Sequence, residues 1–201
     1  MRALKSMVAL IPETVVLRWG HRPRDFRVTA HVGLTARALG ASGLILSDVQ
    51  DFDLQRNILN VVKNWGGSFF VEVGRPWKET VQEWKKNRGA VVHLTMYGEN
   101  LETSDVLDRI RKSSKNILLL VGSQKVPAEF YSRDISDFNV AIGSQPHSEV
   151  AALAIFLDRL YKGNELKRKF EDAKLSVMPS RRGKRVIENE KSCEKCASAP
   201  Q

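Results

Sequence analysis

Short apolar runs rich in β-branched residues alternate along the chain with longer stretches whose apolar positions recur every three to four residues. The runs Thr14 to Leu17, Gly43 to Leu46, Phe69 to Val73, Ala90 to His93, Asn116 to Val121 and Phe138 to Ile142 predict six strands. Between them the spacing predicts helices over Val28 to Leu39, Phe52 to Trp65, Pro76 to Lys86 and Ser104 to Lys112, with a last one over Ser148 to Tyr161. In the first of these, Val28, Val32, Thr35 and Leu39 share a face and Gly40 supplies the stop. Ser148 suits an N-cap, and Glu149 in the first turn complements the helix dipole. The run Ile117 to Val121 is apolar at every position, as a strand covered on both faces must be. The pattern predicts an α/β fold: a mostly parallel six-stranded sheet with helices on both faces.

After Tyr161 the periodicity gives way to Lys and Arg with scattered apolar residues. Leu175 to Met178 and Arg185 to Ile187 read as short strands or docked segments on either side of a Pro179 to Gly183 turn. The chain divides into an N-terminal extension (1–12), a folded body (13–162), a basic C-terminal extension (163–187) and a tail expected to be disordered (188–201). Met7 is a second candidate start beside Met1.

Of the 201 residues 42% are hydrophobic, enough for one globular domain. The longest apolar run, Val150 to Leu157, has 8 residues, and a membrane span takes about 20. Arg2 and Lys5 precede the apolar Met7 to Ile11, but Pro12 ends that run without a small-residue cleavage site, so it makes a poor signal peptide. The two cysteines, Cys193 and Cys196, build no disulfide framework and fit a reducing cytoplasm. Their single CxxC supplies half of a tetrahedral zinc site, and His21 and His31 have no ligand partners at usual spacing, so no metal is expected.

Charge changes the picture more. Residues 1–37 carry 7 basic and 2 acidic side chains, 38–161 carry 14 and 15, and 162–201 carry 11 and 6; the net values are +5, −1 and +5. A neutral body with two basic ends suits a polyanion, because Lys and Arg neutralising phosphates supply most sequence-independent nucleic-acid affinity. The basic residues concentrate in Arg18 to His31, which holds Arg18, Arg22, Arg24 and Arg27 with His21 and His31. Guanidinium groups near a helix start form an anion site. The plainer alternative is a solvated loop in which Asp25 pairs with a neighbouring arginine. Trp65, Trp77 and Trp84 read as core, whereas Trp19, beside the arginines, is a candidate for stacking on a base.

Ligands of open parallel sheets sit beyond the carboxyl ends of strands. Three strand exits carry distinctive loops, His93 to Gly98, Gly122 to Pro127 and Ile142 to Ser148, each with Gly or Pro soon after an apolar run. Together they predict a composite pocket. No P-loop is present, and Gly40 to Gly43 precedes a strand where a dinucleotide fingerprint follows one, which counts against ATP and nicotinamide chemistry.

The strings Gly20 to Pro23 with Arg24 to Thr29, His31 to Ala38, His93 to Gly98, Val121 to Pro127 and Asn139 to Ala154 resemble the archaeal tRNA (cytidine-56) 2'-O-methyltransferases of the SPOUT class, over about residues 13 to 180. That resemblance implies a C-terminal deep trefoil knot, a cytoplasmic homodimer, S-adenosylmethionine as cofactor and the T-loop region of tRNA as partner, with no membrane or DNA. It assigns Leu94, Gly122, Ser123, Gln124, Lys125, Val126, Ile142, Gly143, Ser144, Gln145, Pro146, His147, Ser148, Glu149 and Val150 to the cofactor. It assigns Arg18, His21, Arg22, Arg24 and His31 to substrate, and Arg27, then Arg22 and Arg24, to catalysis. The alternatives are an RNA-binding or ribosome-assembly protein that keeps the knot without catalysis, and a methyltransferase for another RNA site. A pure binder has no reason to keep all three pocket loops.

Overall fold

The structure, a computed structural model, describes residues 12–170 and 172–189. Residues 1–11 and 190–201, and with them Met7, Cys193 and Cys196, lie outside the described residues.

Six parallel strands form one sheet: β1 (Thr14–Trp19), β2 (Gly43–Ser47), β3 (Phe70–Arg75), β4 (Ala90–Asn100), β5 (Ile117–Gly122) and β6 (Phe138–Ala141), in the order β3-β2-β1-β5-β4-β6. The helices α1 (Phe26–Ala38), α2 (Phe52–Trp65), α3 (Trp77–Lys86), α4 (Val106–Ser113) and α5 (Glu149–Tyr161) connect or follow them. Side chains alternate across β5. Ile117, Leu119 and Val121 join Val32, Ile58, Ile110 and Phe156 on the face covered by α1, α2, α4 and α5, while Leu118 and Leu120 join Trp77, Val81 and Phe130 on the face covered by α3. Two apolar clusters, one per face, are the reason that run has no polar residue. No helix among the described residues is long and apolar enough to cross a membrane.

Most boundaries shift from the periodicity by one or two residues, and three of the differences have a clear local reason. α1 begins at Phe26, because Pro23–Asp25 form a single 3-10 turn that leads into it, with the Asp25 N–H donating to the Arg22 carbonyl at 2.8 Å. α4 begins at Val106, because the Asn100 side chain accepts from the Glu102 and Thr103 N–H groups and holds a turn there. β4 runs past His93 to Asn100 with an irregularity described below.

The C-terminal extension ends in an antiparallel hairpin, β7 (Leu175–Val177) with β8 (Val186–Glu188). Glu188 and Asn189, expected in the tail, belong to it: the Asn189 side-chain amide donates to Ala173 O at 2.8 Å and to Ser176 Oγ at 2.7 Å. Trp19, the stacking candidate, packs against the core on the α3 face. It is half-buried and sits edge-on to Phe130, with ring centroids 5.7 Å apart.

Candidate active site

The carboxyl ends of β4, β5 and β6 and the first turn of α5 enclose a cavity of about 290 Å3. Its walls are Leu94, Thr95 and Met96 from β4, Val121 to Gln124 at the end of β5, Val140, Ile142 and Gln145 to His147 around the exit of β6, and Glu149 and Ala152 of α5. The three loops singled out in the sequence therefore do converge. Six residues assigned to the pocket stand outside its lining: Lys125, Val126, Gly143, Ser144, Ser148 and Val150. Val126 and Val150 pack against the two cores, and Ser148 caps α5 by accepting the Val150 N–H at 3.1 Å. Thr95, Met96, Val121, Val140 and Ala152 were not assigned. Thr95 and Met96 directly follow Leu94, and Ala152 lies one turn beyond Glu149 on the same helix face, a spacing that points to it.

Two side chains brace the cavity. The imidazole of His147 bridges its own loop, with Nε2 donating to Ile142 O at 2.7 Å and Nδ1 3.1 Å from Ser148 O. Arg18 lies beneath the floor with its side chain fully buried; Nη1 donates to Gly122 O at 2.7 Å and Nη2 to Glu149 Oε1 at 2.8 Å. Burial pulls the Arg18 guanidinium below its usual value, opposed by the hydrogen bond and charge of Glu149. Arg18 thus fixes a cavity carbonyl and a cavity carboxylate, and with no exposed side-chain area it braces the site where a direct substrate contact was expected. His21, also expected to meet substrate, is likewise buried, between Thr29 Oγ1 at 2.9 Å and Asp51 Oδ2 at 3.0 Å. Asp51 also caps α2, so His21 locks the arginine loop to two helices.

The rest of that loop stays at the surface. Arg22 pairs with Asp25, Nε to Oδ2 2.9 Å, which is the pairing the plainer alternative anticipated. Arg24, Arg27 and His31 are exposed, and among the described residues no ion pair engages Arg24 or Arg27. The loop adjoins the cavity: Ser123 Oγ donates to the Gly20 carbonyl, and Ser123 N–H donates to Trp19 O at 2.9 Å. Gly20 holds a φ of 77°, and a Cβ there would stand 3.1 Å from Ser123 Oγ, so both backbone sign and space favour glycine. Among the described residues no three His, Cys, Asp or Glu side chains gather as metal ligands.

Residues 65–187 match the family described as "tRNA ribose 2'-O-methyltransferase, aTrm56". A protein from Thermofilum pendens named tRNA (cytidine(56)-2'-O)-methyltransferase is 57% identical over 176 residues, 87% of this chain and 96% of that protein. One of the same name from Methanopyrus kandleri is 53% identical over 88% of this chain and 97% of its own length. Among solved structures, the SpoU methyltransferase AviRb from Streptomyces viridochromogenes in complex with AdoMet superposes with a TM-score of 0.53 at 20% identity, covering 76% of this chain. The match spans 58% of that solved chain, under two thirds, and at this identity it speaks for the fold alone.

Proposed function

The chain belongs to the family of tRNA ribose 2'-O-methyltransferases, and from that membership we propose that it transfers a methyl group from S-adenosylmethionine to the 2'-hydroxyl of cytidine 56 in the tRNA T loop. The observation that carries the reading is the joining of two dissimilar surfaces. A three-loop cavity at the strand ends is tied through Ser123 and Gly20 to an exposed arginine loop.

The lining suits the donor. Leu94, Val140, Ile142 and Ala152 offer an apolar wall for a purine, the loops at Gly122 and Ile142 offer main-chain partners, and Glu149 brings a carboxylate for a cationic group. When bound, S-adenosylmethionine supplies an electrophilic methyl on a sulfonium. A 2'-hydroxyl is a weak nucleophile, so the protein's contribution is to hold it in line with that methyl. Arg27, in the first turn of α1, is suited to gripping the adjoining phosphate and aligning the hydroxyl. A guanidinium stays protonated, so Arg27 is a positioning group and not the proton acceptor. Arg24 and His31 extend the same exposed surface. The finer features implied by the family belong to this proposal too: a trefoil knot around the cavity, a cytoplasmic setting and a homodimer. The dimer is supported by Val28 of α1 and Ile155 of α5, exposed apolar residues on helices that pack together.

Two measurements test the reading. Labelled methyl groups are expected to enter an unmodified tRNA transcript but not one in which cytidine 56 is replaced; incorporation indifferent to the replacement refutes the target. His147→Ala frees both ends of its loop. It is expected to raise the Kd for S-adenosylmethionine roughly fivefold, about 1 kcal/mol for a lost hydrogen bond, read by calorimetry. An unchanged Kd would show that the loop keeps its shape without the ring.

A further inference from the structure

Tyr97 is the most exposed large apolar side chain of the described residues, at 76%, and nothing in the fold requires it there. Its position comes from the irregularity in β4. Leu94 and Glu99 both face Val140 of β6, so Thr95 to Gly98 are extruded between two registers. Gly98 closes the excursion against the backbone of Asn139 and Val140, where a Cβ would come within 2.5 Å of main-chain atoms, so no other residue fits beneath. Thr95 and Met96 turn into the cavity wall while Tyr97 stands at its lip.

The ring behind Tyr97 is fixed. Tyr131 lies 6.4 Å from it, centroid to centroid, and its hydroxyl is 3.2 Å from Oγ1 of Thr95, a cavity residue. His93 meets Tyr131 edge-on at 5.1 Å, and its Nδ1 is 2.9 Å from Asn139 Oδ1. Asn139 in turn donates to the Tyr131 carbonyl at 3.2 Å. Burial holds His93 below its ordinary value, so a neutral ring donates to Asn139. An exposed aromatic face on a rigid base, beside the cavity, is the construction that unpaired bases stack on.

We propose that Tyr97, backed by Tyr131, stacks the base of the target nucleotide while that nucleotide's ribose faces the cavity. This role presupposes RNA ribose methylation as the activity, and it adds a base contact to the phosphate grip of the arginine loop.

The test compares kcat/KM on intact tRNA with that on a tRNA carrying an abasic ribose at the target position, which keeps the 2'-hydroxyl and removes the base. Tyr97→Ala is expected to lower kcat/KM on intact tRNA by about 5- to 150-fold, the span of base–aromatic stacking. Tyr97→Phe stays within about twofold because the π-face is kept, and the Kd for S-adenosylmethionine is unchanged. On the abasic substrate the Ala variant and wild type should converge. Wild-type turnover with Tyr97→Ala within twofold of it on intact tRNA would overturn the platform alone. So would an equal loss on both substrates, or a changed oligomeric state in size-exclusion chromatography, either of which makes Tyr97 a protein contact. No wild-type methylation of either RNA would overturn the activity and the platform together.

Discussion

Replacing Arg27 with Ala is expected to slow methyl transfer by roughly 10^2- to 10^3-fold, the loss seen when one preorganised charged or polar donor is removed from a reacting centre. The Kd for S-adenosylmethionine should stay within about twofold of wild type, because Arg27 is not among the residues that line the cavity. Its neighbours are less suited to the role. Arg22 already holds Asp25, and Arg24 lies in the 3-10 turn before α1. Arg22→Ala should therefore cost less than Arg27→Ala, by loosening the turn. Arg27→Lys should recover only part of the rate, since an ammonium keeps the charge and loses the bidentate fork. Rapid-quench single-turnover kinetics with saturating cofactor separates the outcomes. A cofactor affinity that falls in step with rate would make Arg27 a pocket residue and refute its assignment.

The largest effect on stability is expected at Glu149. Its carboxylate is the only acidic partner of a guanidinium with no exposed side-chain area among the described residues, and Arg18 Nε has no hydrogen-bond partner there either. Removing one member of a buried pair leaves the other charge uncompensated, which costs about 3–5 kcal/mol. Glu149 itself is 31% exposed, so water offsets part of this and the lower end, about 3 kcal/mol, is expected for Glu149→Gln. For a chain of this size that corresponds to a Tm lower by about 6–12 °C. The double variant Arg18→Met with Glu149→Gln should regain much of the loss, because no charge remains buried. Additive losses in the double variant would show that the two side chains act independently.

The strands and helices were legible in the sequence almost throughout, for a physical reason. Buried parallel strands such as Ile117 to Val121 must be apolar on every residue, and α2 shows its buried face in Leu54 and Ile58, four residues apart. The pocket loops were legible because Gly or Pro follows each apolar run. Arg18 and His21 misled, because charge and polarity predict exposure when the partner is unknown. Their partners, Glu149 and Asp51, lie 131 and 30 residues away, and only the closed fold brings them together. Tyr97 was hidden likewise. The string His93 to Gly98 reads as a strand exit, and the press of Gly98 against Asn139, which extrudes the ring, is a contact between strands that local pattern does not encode.

Methyl transfer to one ribose oxygen is tested most directly with two tRNA transcripts that differ by a single atom, cytidine or 2'-deoxycytidine at position 56, incubated with the protein and labelled S-adenosylmethionine. The expected result is label in the cytidine RNA and none in its deoxy counterpart. Label of equal extent in the deoxy RNA would place the methyl group elsewhere and contradict the assignment of this chain as a cytidine-56 ribose methyltransferase.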